Sequence, residues 1–227
     1  MTTTLITGAN KGLGYETARQ LLAAGHDVWM AARDAERGAE AARRLGGRFV
    51  RLDVTDPGSI AAAVQTVGAL DVLINNAGIS GGMTPVGEVT AEIMRPVFET
   101  NLFGVVEVTH AFRPLLEKSE LPVIVNVSSG LGSLGWANDP SVMEYHVPAL
   151  AYGAAKAALN MVTVHYAKAY PGMKINCVDP GYTATDLNGH QGPQTIEEGA
   201  EIIVRMAQVG RDGPTGEYVN RHGRVPW

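Results

Sequence analysis

Six short apolar runs, each followed by a segment of helical character, place the tightest limit on how this chain folds. TTLIT at 3–7, DVWMAA at 27–32, RFVRL at 48–52, LDVLI at 70–74, PVIVNV at 122–127 and MKINCV at 173–178 read as strands. Helical patterns fill about 12–24, 34–45, 57–67, 150–169 and 195–208. Another runs from about Thr90 to about Lys118, with a break expected near Asn101 to Gly104, and a last short strand is expected near 216–219. Several strands are almost unbroken Val, Ile and Leu, as strands buried on both faces must be. Strict alternation of strand and helix requires a parallel sheet with right-handed crossovers and helices on both faces. The expected fold is therefore α/β, a doubly wound parallel sheet. With 227 residues and no shift in composition along the chain, one domain over 1–227 is expected.

Composition removes several function classes. The net charge is −5 and no long basic run occurs, so no nucleic-acid partner is expected. Cys177 is the single cysteine, which rules out a disulfide within the chain and argues against a metal cluster. The opening MTTTLITG runs straight into a strand without a basic or long apolar leader, and no stretch approaches ~18 apolar residues. A cytoplasmic protein with no membrane partner is expected.

The residues with chemical potential gather at strand ends. The first strand ends in Thr7-Gly8-Ala9-Asn10-Lys11-Gly12-Leu13-Gly14. A glycine-rich turn between the first strand and the first helix lets backbone approach a pyrophosphate, and the helix N-terminus offers it free N–H groups. Asp53, followed by Val54, ends the third strand, where a carboxylate can accept a hydrogen bond from an adenine amino group; Asp56, directly before Pro57, is the better helix cap. Asn75-Asn76-Ala77-Gly78 closes the fourth strand, Ser128-Ser129 the fifth and Asp179-Pro180-Gly181 the sixth, with Thr183 and Thr185 just beyond. All of these fall at one edge of one sheet, which is where such folds bind ligands.

Tyr152 and Lys156 stand four residues apart in an Ala-rich helical stretch, LAYGAAKAALN, so they share one face. A neighbouring ammonium favours phenolate and is expected to draw the Tyr152 phenol below its ordinary value near 10. Tyr145 has no such partner, because Ala149 lies four residues on.

Together, TGANKGLG, NNAG, Asn101, NVSS, YGAAK and DPGYTATD resemble, in order, the motif series of the short-chain dehydrogenase/reductase family, whose fold is Rossmann-type. AARDAERG, PGYTATDL and GPTGEYV look most like its carbonyl reductases. The resemblance implies that Tyr152 is the catalytic acid/base and that Lys156 also binds the nicotinamide ribose. Ser129 would hold the substrate oxygen and Asn101 support a water relay. It implies cofactor contacts at Gly8, Asn10, Lys11, Gly12, Leu13, Gly14, Asp53 and Val54, and at Asn75, Ala77, Gly78, Pro180, Gly181, Thr183 and Thr185. Family members that prefer NAD carry an acid at the end of the second strand. Here that position is Ala32, followed by Arg33, so NADP(H) is expected. Asp34 can pair with Arg33 or cap the next helix, and the cap is expected.

Tyr152 follows Ser129 by 23 residues, about ten more than is usual in the family. The added stretch brings Trp136, Met143, Tyr145 and His146; with Tyr182, Trp136 and Tyr145 are candidate substrate contacts, although the stretch can equally serve only to cover the adjacent helix. Many members form dimers or tetramers through the Tyr-x3-Lys helix, and the insertion leaves monomer or homo-oligomer open. The expected activity is NADPH-dependent reduction of a ketone, aldehyde or quinone, with a small-molecule carbonyl or alcohol as partner. Alternatives are an alcohol dehydrogenase, a ketoreductase with one dedicated substrate, or a regulator that senses NADP(H) without catalysis.

Overall fold

A computed structural model describes all residues from Met1 to Trp227. The chain runs β1 (Thr3–Thr7), α1 (Gly12–Ala23), β2 (Asp27–Ala32), α2 (Ala35–Leu45), β3 (Arg48–Arg51), α3 (Pro57–Val67) and β4 (Val72–Asn75). It continues through α4 (Ala91–Phe98), α5 (Gly104–Leu116), β5 (Val123–Val127), the one-turn α6 (Leu134–Ala137), α7 (Leu150–Ala169), β6 (Lys174–Val178) and α8 (Ile196–Ala207). β7 (Tyr218–Asn220) and β8 (Gly223–Arg224) finish it. All eight strands join one sheet in the order β3-β2-β1-β4-β5-β6-β7-β8. Every pairing is parallel except the last, a β7–β8 hairpin that the sequence reading did not include. No helix is long and apolar enough to cross a membrane.

The period of two along each strand divides the core into two layers. Ile6, Met30, Ile74 and Val125 face one side, where α1, α2 and α8 cover them with Leu21, Ala41, Ile202 and Ile203. Their chain neighbours Leu5, Trp29, Leu73 and Ile124 face the other side and pack with Ile60, Val108 and Phe112 of α3 and α5. Chain order reverses between β1 and β4, so a crevice opens outside the carboxyl ends of these strands.

The expected break at Asn101–Gly104 is not a break. Residues Glu99–Phe103 form a π turn that joins α4 to α5, and the Gly104 N–H donates to the Glu99 carbonyl, five residues back. The extra residue rotates the helix face locally, and such turns recur at functional sites. Its result here is that Asn101 is wholly buried.

Candidate active site

The cofactor side of the crevice is shaped by glycine. Gly8 and Gly12 have φ of +66° and +56°, a conformation that side chains resist. A Cβ on Gly14 would lie 2.5 Å from the Asn76 amide nitrogen and 2.6 Å from the Gly8 carbonyl. α1 therefore starts almost in contact with the turn below it. Its N-cap, Lys11, makes no side-chain cap and its first turn holds no acid. α2 and α3, by contrast, are capped by Asp34 and Asp56. Open N–H groups at a helix start, reached over glycine, fit a pyrophosphate. Asn10 and Lys11 also border an open groove of about 730 Å³ between α1 and α2. Leu13 turns inward, against Gly199 of α8.

Arg33 is exposed at the end of β2 and makes no ion pair, because Asp34 is occupied. Asp34 accepts from the Arg37 N–H at 2.9 Å and pairs with its guanidinium at 2.7 Å, so the expected cap is the one that forms. Asp53 accepts from the Thr55 N–H and hydroxyl at 3.0 and 2.8 Å. Its carboxyl is held low chiefly by the Thr55 N–H, with attraction from Arg33 and Arg51 added. Val54 is buried against Gly104 at the start of α5.

Two of the expected cofactor contacts have partners within the chain. The Lys11 ammonium lies 2.7 Å from Asp186, beyond β6, and His190 holds the other Asp186 oxygen at 2.8 Å. Asn75, expected to line the cofactor, is 2% exposed and sends its amide inward to Asn126 and Thr109, at 2.8 and 3.1 Å. The amide that reaches the crevice belongs to Asn76, which donates to the carbonyls of Thr7 and Gly8 at 2.8 and 3.2 Å. Thr7 completes the brace by accepting from the N–H groups of Asn76 and Ala77, both at 3.0 Å. Ala77 and Gly78 then lie at the open rim.

The catalytic candidates converge at the end of β5. Ser128 is buried and donates to Asn160 at 2.6 Å, whereas Ser129 is half-buried. Tyr152, on the first turn of α7, faces the Ser129 hydroxyl. Burial pushes its phenol up to about 12, the Ser129 hydroxyl pulls it back, and buried Asp179 pushes it further up. The sequence expectation had the opposite sign. Desolvation outweighs any pull from Lys156, whose ammonium is 5.5 Å from the centre of the phenol ring. Lys156 is 4% exposed and donates to the Val127 carbonyl at 2.6 Å; burial lowers its amine to about 8. Asn101 clamps Ile79 with both ends of its amide, accepting and donating at 2.8 Å, and so holds the Gly78 turn in place.

The sequence reading gave no role to two residues that hold this arrangement. Tyr218, 2% exposed, donates its phenol to the Ser129 carbonyl. Asp179, 5% exposed, accepts from the Gly181 N–H at 3.0 Å and fixes the Pro180–Gly181 turn. Neither carries a local signal beyond its place near a strand end. In the loop that follows, Gly181 has φ +80°, the buried Thr183 hydroxyl turns back to the Gly181 carbonyl at 3.2 Å, and Thr185 reaches over Gly12.

A family model described as short chain dehydrogenase matches residues 2–195. The chain belongs to the short-chain dehydrogenase family. It is thereby an enzyme of an oxidoreductase family. Curated relatives include (+)-neomenthol dehydrogenase of Capsicum annuum, 33% identical over 297 positions that cover 96% of this chain and 95% of that protein. Short-chain dehydrogenase anuI of Penicillium roqueforti is 40% identical over 225 positions, covering 91% and 88%. Among solved structures, an NADPH-bound carbonyl reductase from chicken fatty liver covers 100% of this chain and 99% of its own at 30% identity, with a TM-score of 0.88.

The alignment with the neomenthol dehydrogenase runs over 297 positions but takes in only about 218 residues of this chain, so some 80 of its positions have no counterpart here. This chain's own wall beside Ser129 is brief. α6 and the 3-10 turn Met143–His146 pack near Gly130, and the Trp136 ring lies against Gly130 itself. Tyr145 is 50% exposed, and Tyr182, on the loop after β6, is 39% exposed, with its hydroxyl 3.4 Å from Gln191.

Proposed function

We propose that this protein is an NADPH-dependent carbonyl reductase in which Tyr152 gives the proton. The observation that carries the reading is the phenol of Tyr152 facing the Ser129 hydroxyl at the open edge of the sheet, with the Lys156 ammonium fixed behind it on Val127. A phenol held near 12 is fully protonated at neutral pH and is an acid in waiting. Ser129 would hold the substrate oxygen, so that negative charge developing there meets two hydroxyl donors. When bound, a reduced nicotinamide supplies a hydride to the carbonyl carbon. Tyr152 delivers its proton to the oxygen, and the buried Lys156 ammonium stabilises the phenolate that is left. The proton is replaced along a water relay from Lys156 past Asn101, whose side chain is fixed on Ile79.

Gly12, Leu13 and Gly14 would hold the pyrophosphate with their N–H groups. Arg33, free of any ion pair, supports a 2′-phosphate rather than a hydroxyl, and no carboxylate at Ala32 repels one. The relatives, among them an NADPH-bound carbonyl reductase and a neomenthol dehydrogenase, support the same chemistry. Loss of NADPH absorbance with a panel of ketones, aldehydes and quinones tests the proposal. Tight NADPH binding with no consumption on any of them would instead make the protein a cofactor-sensing regulator.

A further inference from the structure

The wall beside Ser129 carries one charge that the proposed reduction does not use. Glu144 lies in the turn Met143–His146. A Cβ on Gly130 would sit 2.7 Å from one of its carboxylate oxygens, with the Trp136 ring 2.9 Å away. Gly130 directly follows Ser129, so backbone dimensions put that oxygen within about 8 Å of the Ser129 Cα. The missing side chain of Gly130 leaves room for the carboxylate and the Trp136 ring beside the end of β5.

Glu144 is half-buried and takes part in none of the ion pairs of the molecule. Two nitrogen-bearing side chains close by in the chain and at the site have other partners. The His146 ring nitrogen lies 3.1 Å from the Pro140 carbonyl, and the Lys156 ammonium is spent on Val127. Glu16, Glu40, Glu198 and Glu217, in contrast, each hold an arginine. A carboxylate partly removed from water and lacking a counter-charge favours a cation and repels an anion. The exposed surface around it is apolar and aromatic, from Met143 and Tyr145. Aromatic faces beside a carboxylate suit an alkylammonium group, which is attracted to both.

We propose that Glu144 selects a carbonyl substrate that also bears a positively charged amine. The ammonium pairs with Glu144 while the carbonyl oxygen lies on Ser129 and Tyr152. The proposal rests on the carbonyl-reductase reading and adds the substrate class.

The test compares kcat/KM for a ketone carrying a quaternary ammonium with that for its neutral isostere, in which carbon replaces nitrogen. The full chain and NADPH are used. A fixed charge removes the amine's own titration from the result. Wild type is expected to favour the cation by about tenfold to a hundredfold, chiefly through KM. Glu144→Gln is expected to bring the ratio close to one. Glu144→Lys is expected to invert it and to favour a ketone bearing a carboxylate. Each ratio is taken within one variant, so a loss of folded protein cancels. A wild-type ratio of one or less, or a ratio unmoved by Glu144→Gln, overturns the role of Glu144 alone. Reduction of neither ketone by wild type overturns the reductase reading and the proposal with it.

Discussion

The carboxyl edge of β1, β4 and β5 and the wall formed by 134–148, with the loop 182–194, are built on opposite terms. At the sheet edge, polar groups have fixed partners: Asn76 on Thr7 and Gly8, Asn101 on Ile79, Lys156 on Val127. Thr7, Asn101 and Lys156 are at most 4% exposed. Along the wall, large apolar side chains stand in solvent, with Leu134 at 65%, Met143 at 49% and Leu187 at 43%. A region of buried, paired groups cannot change one residue without leaving another unsatisfied. A region of exposed side chains can. On the proposed function, the edge would run the reaction and the wall would select the molecule that undergoes it.

The largest effect that sharpens this contrast is expected at Tyr152. Tyr152→Phe keeps the ring and its packing and removes the acid, so kcat should fall by about 10²–10⁴. NADPH affinity, read by fluorescence titration, should stay within about threefold, since the variant removes one neutral hydroxyl. Arg33→Ala comes next: NADPH should bind about ten- to a hundredfold more weakly and NADH almost unchanged, as titration of both cofactors will show. Equal losses for both would remove Arg33 from cofactor selection.

Lys156 gives a test of stability against pH. Burial sets its folded value near 8, below the ordinary 10.5. Between those values the unfolded chain holds a proton that the folded chain has released, so this group makes stability rise with pH. Below about 8 the burial penalty is present in full. The gain is at most about 1.4 kcal/mol per pH unit. Cys177, pushed up to about 12 by burial, works the other way above its ordinary 9.0. Lys156 and Cys177 also act on each other, so the comparison is made in the Cys177→Ala background, where subtracting the Lys156→Met curve should leave the rise. A flat difference from pH 8 to 10 would show that Lys156 is not desolvated.

Smaller effects follow. Asp34→Ala removes the cap of α2 and should cost about 1 kcal/mol in urea denaturation. At the wall, Met143→Ala with Tyr145→Ala should leave stability within about 0.5 kcal/mol while changing the order of preference among ketones. A large stability loss there would erase the distinction between edge and wall.

The edge was legible in the sequence because its devices are local. Glycine turns, strand ends and a Tyr-x3-Lys spacing occupy a few consecutive residues each, and the alternation that orders the sheet is set by burial on both faces. What escaped depends on contacts between distant segments. Lys11 is claimed by Asp186, 175 residues away, and Ser129 is held by Tyr218, 89 residues away. No spacing encodes those meetings. Asn75 and Asn76 are adjacent and chemically the same, and only the strand's register decides that Asn75 turns inward. The sign of the Tyr152 shift was missed because a helical wheel shows the lysine beside it but not the water taken away.

The central claim is tested most directly with NADPH deuterated at the nicotinamide carbon that gives up hydride, using each stereoisomer in turn. The products of a ketone accepted in the panel are read by mass spectrometry. The account predicts alcohol with one deuterium on the former carbonyl carbon, from one of the two stereoisomers only, and essentially none from Tyr152→Phe over the same time. Alcohol without deuterium from either stereoisomer, or labelled alcohol formed by Tyr152→Phe at the wild-type rate, would contradict it.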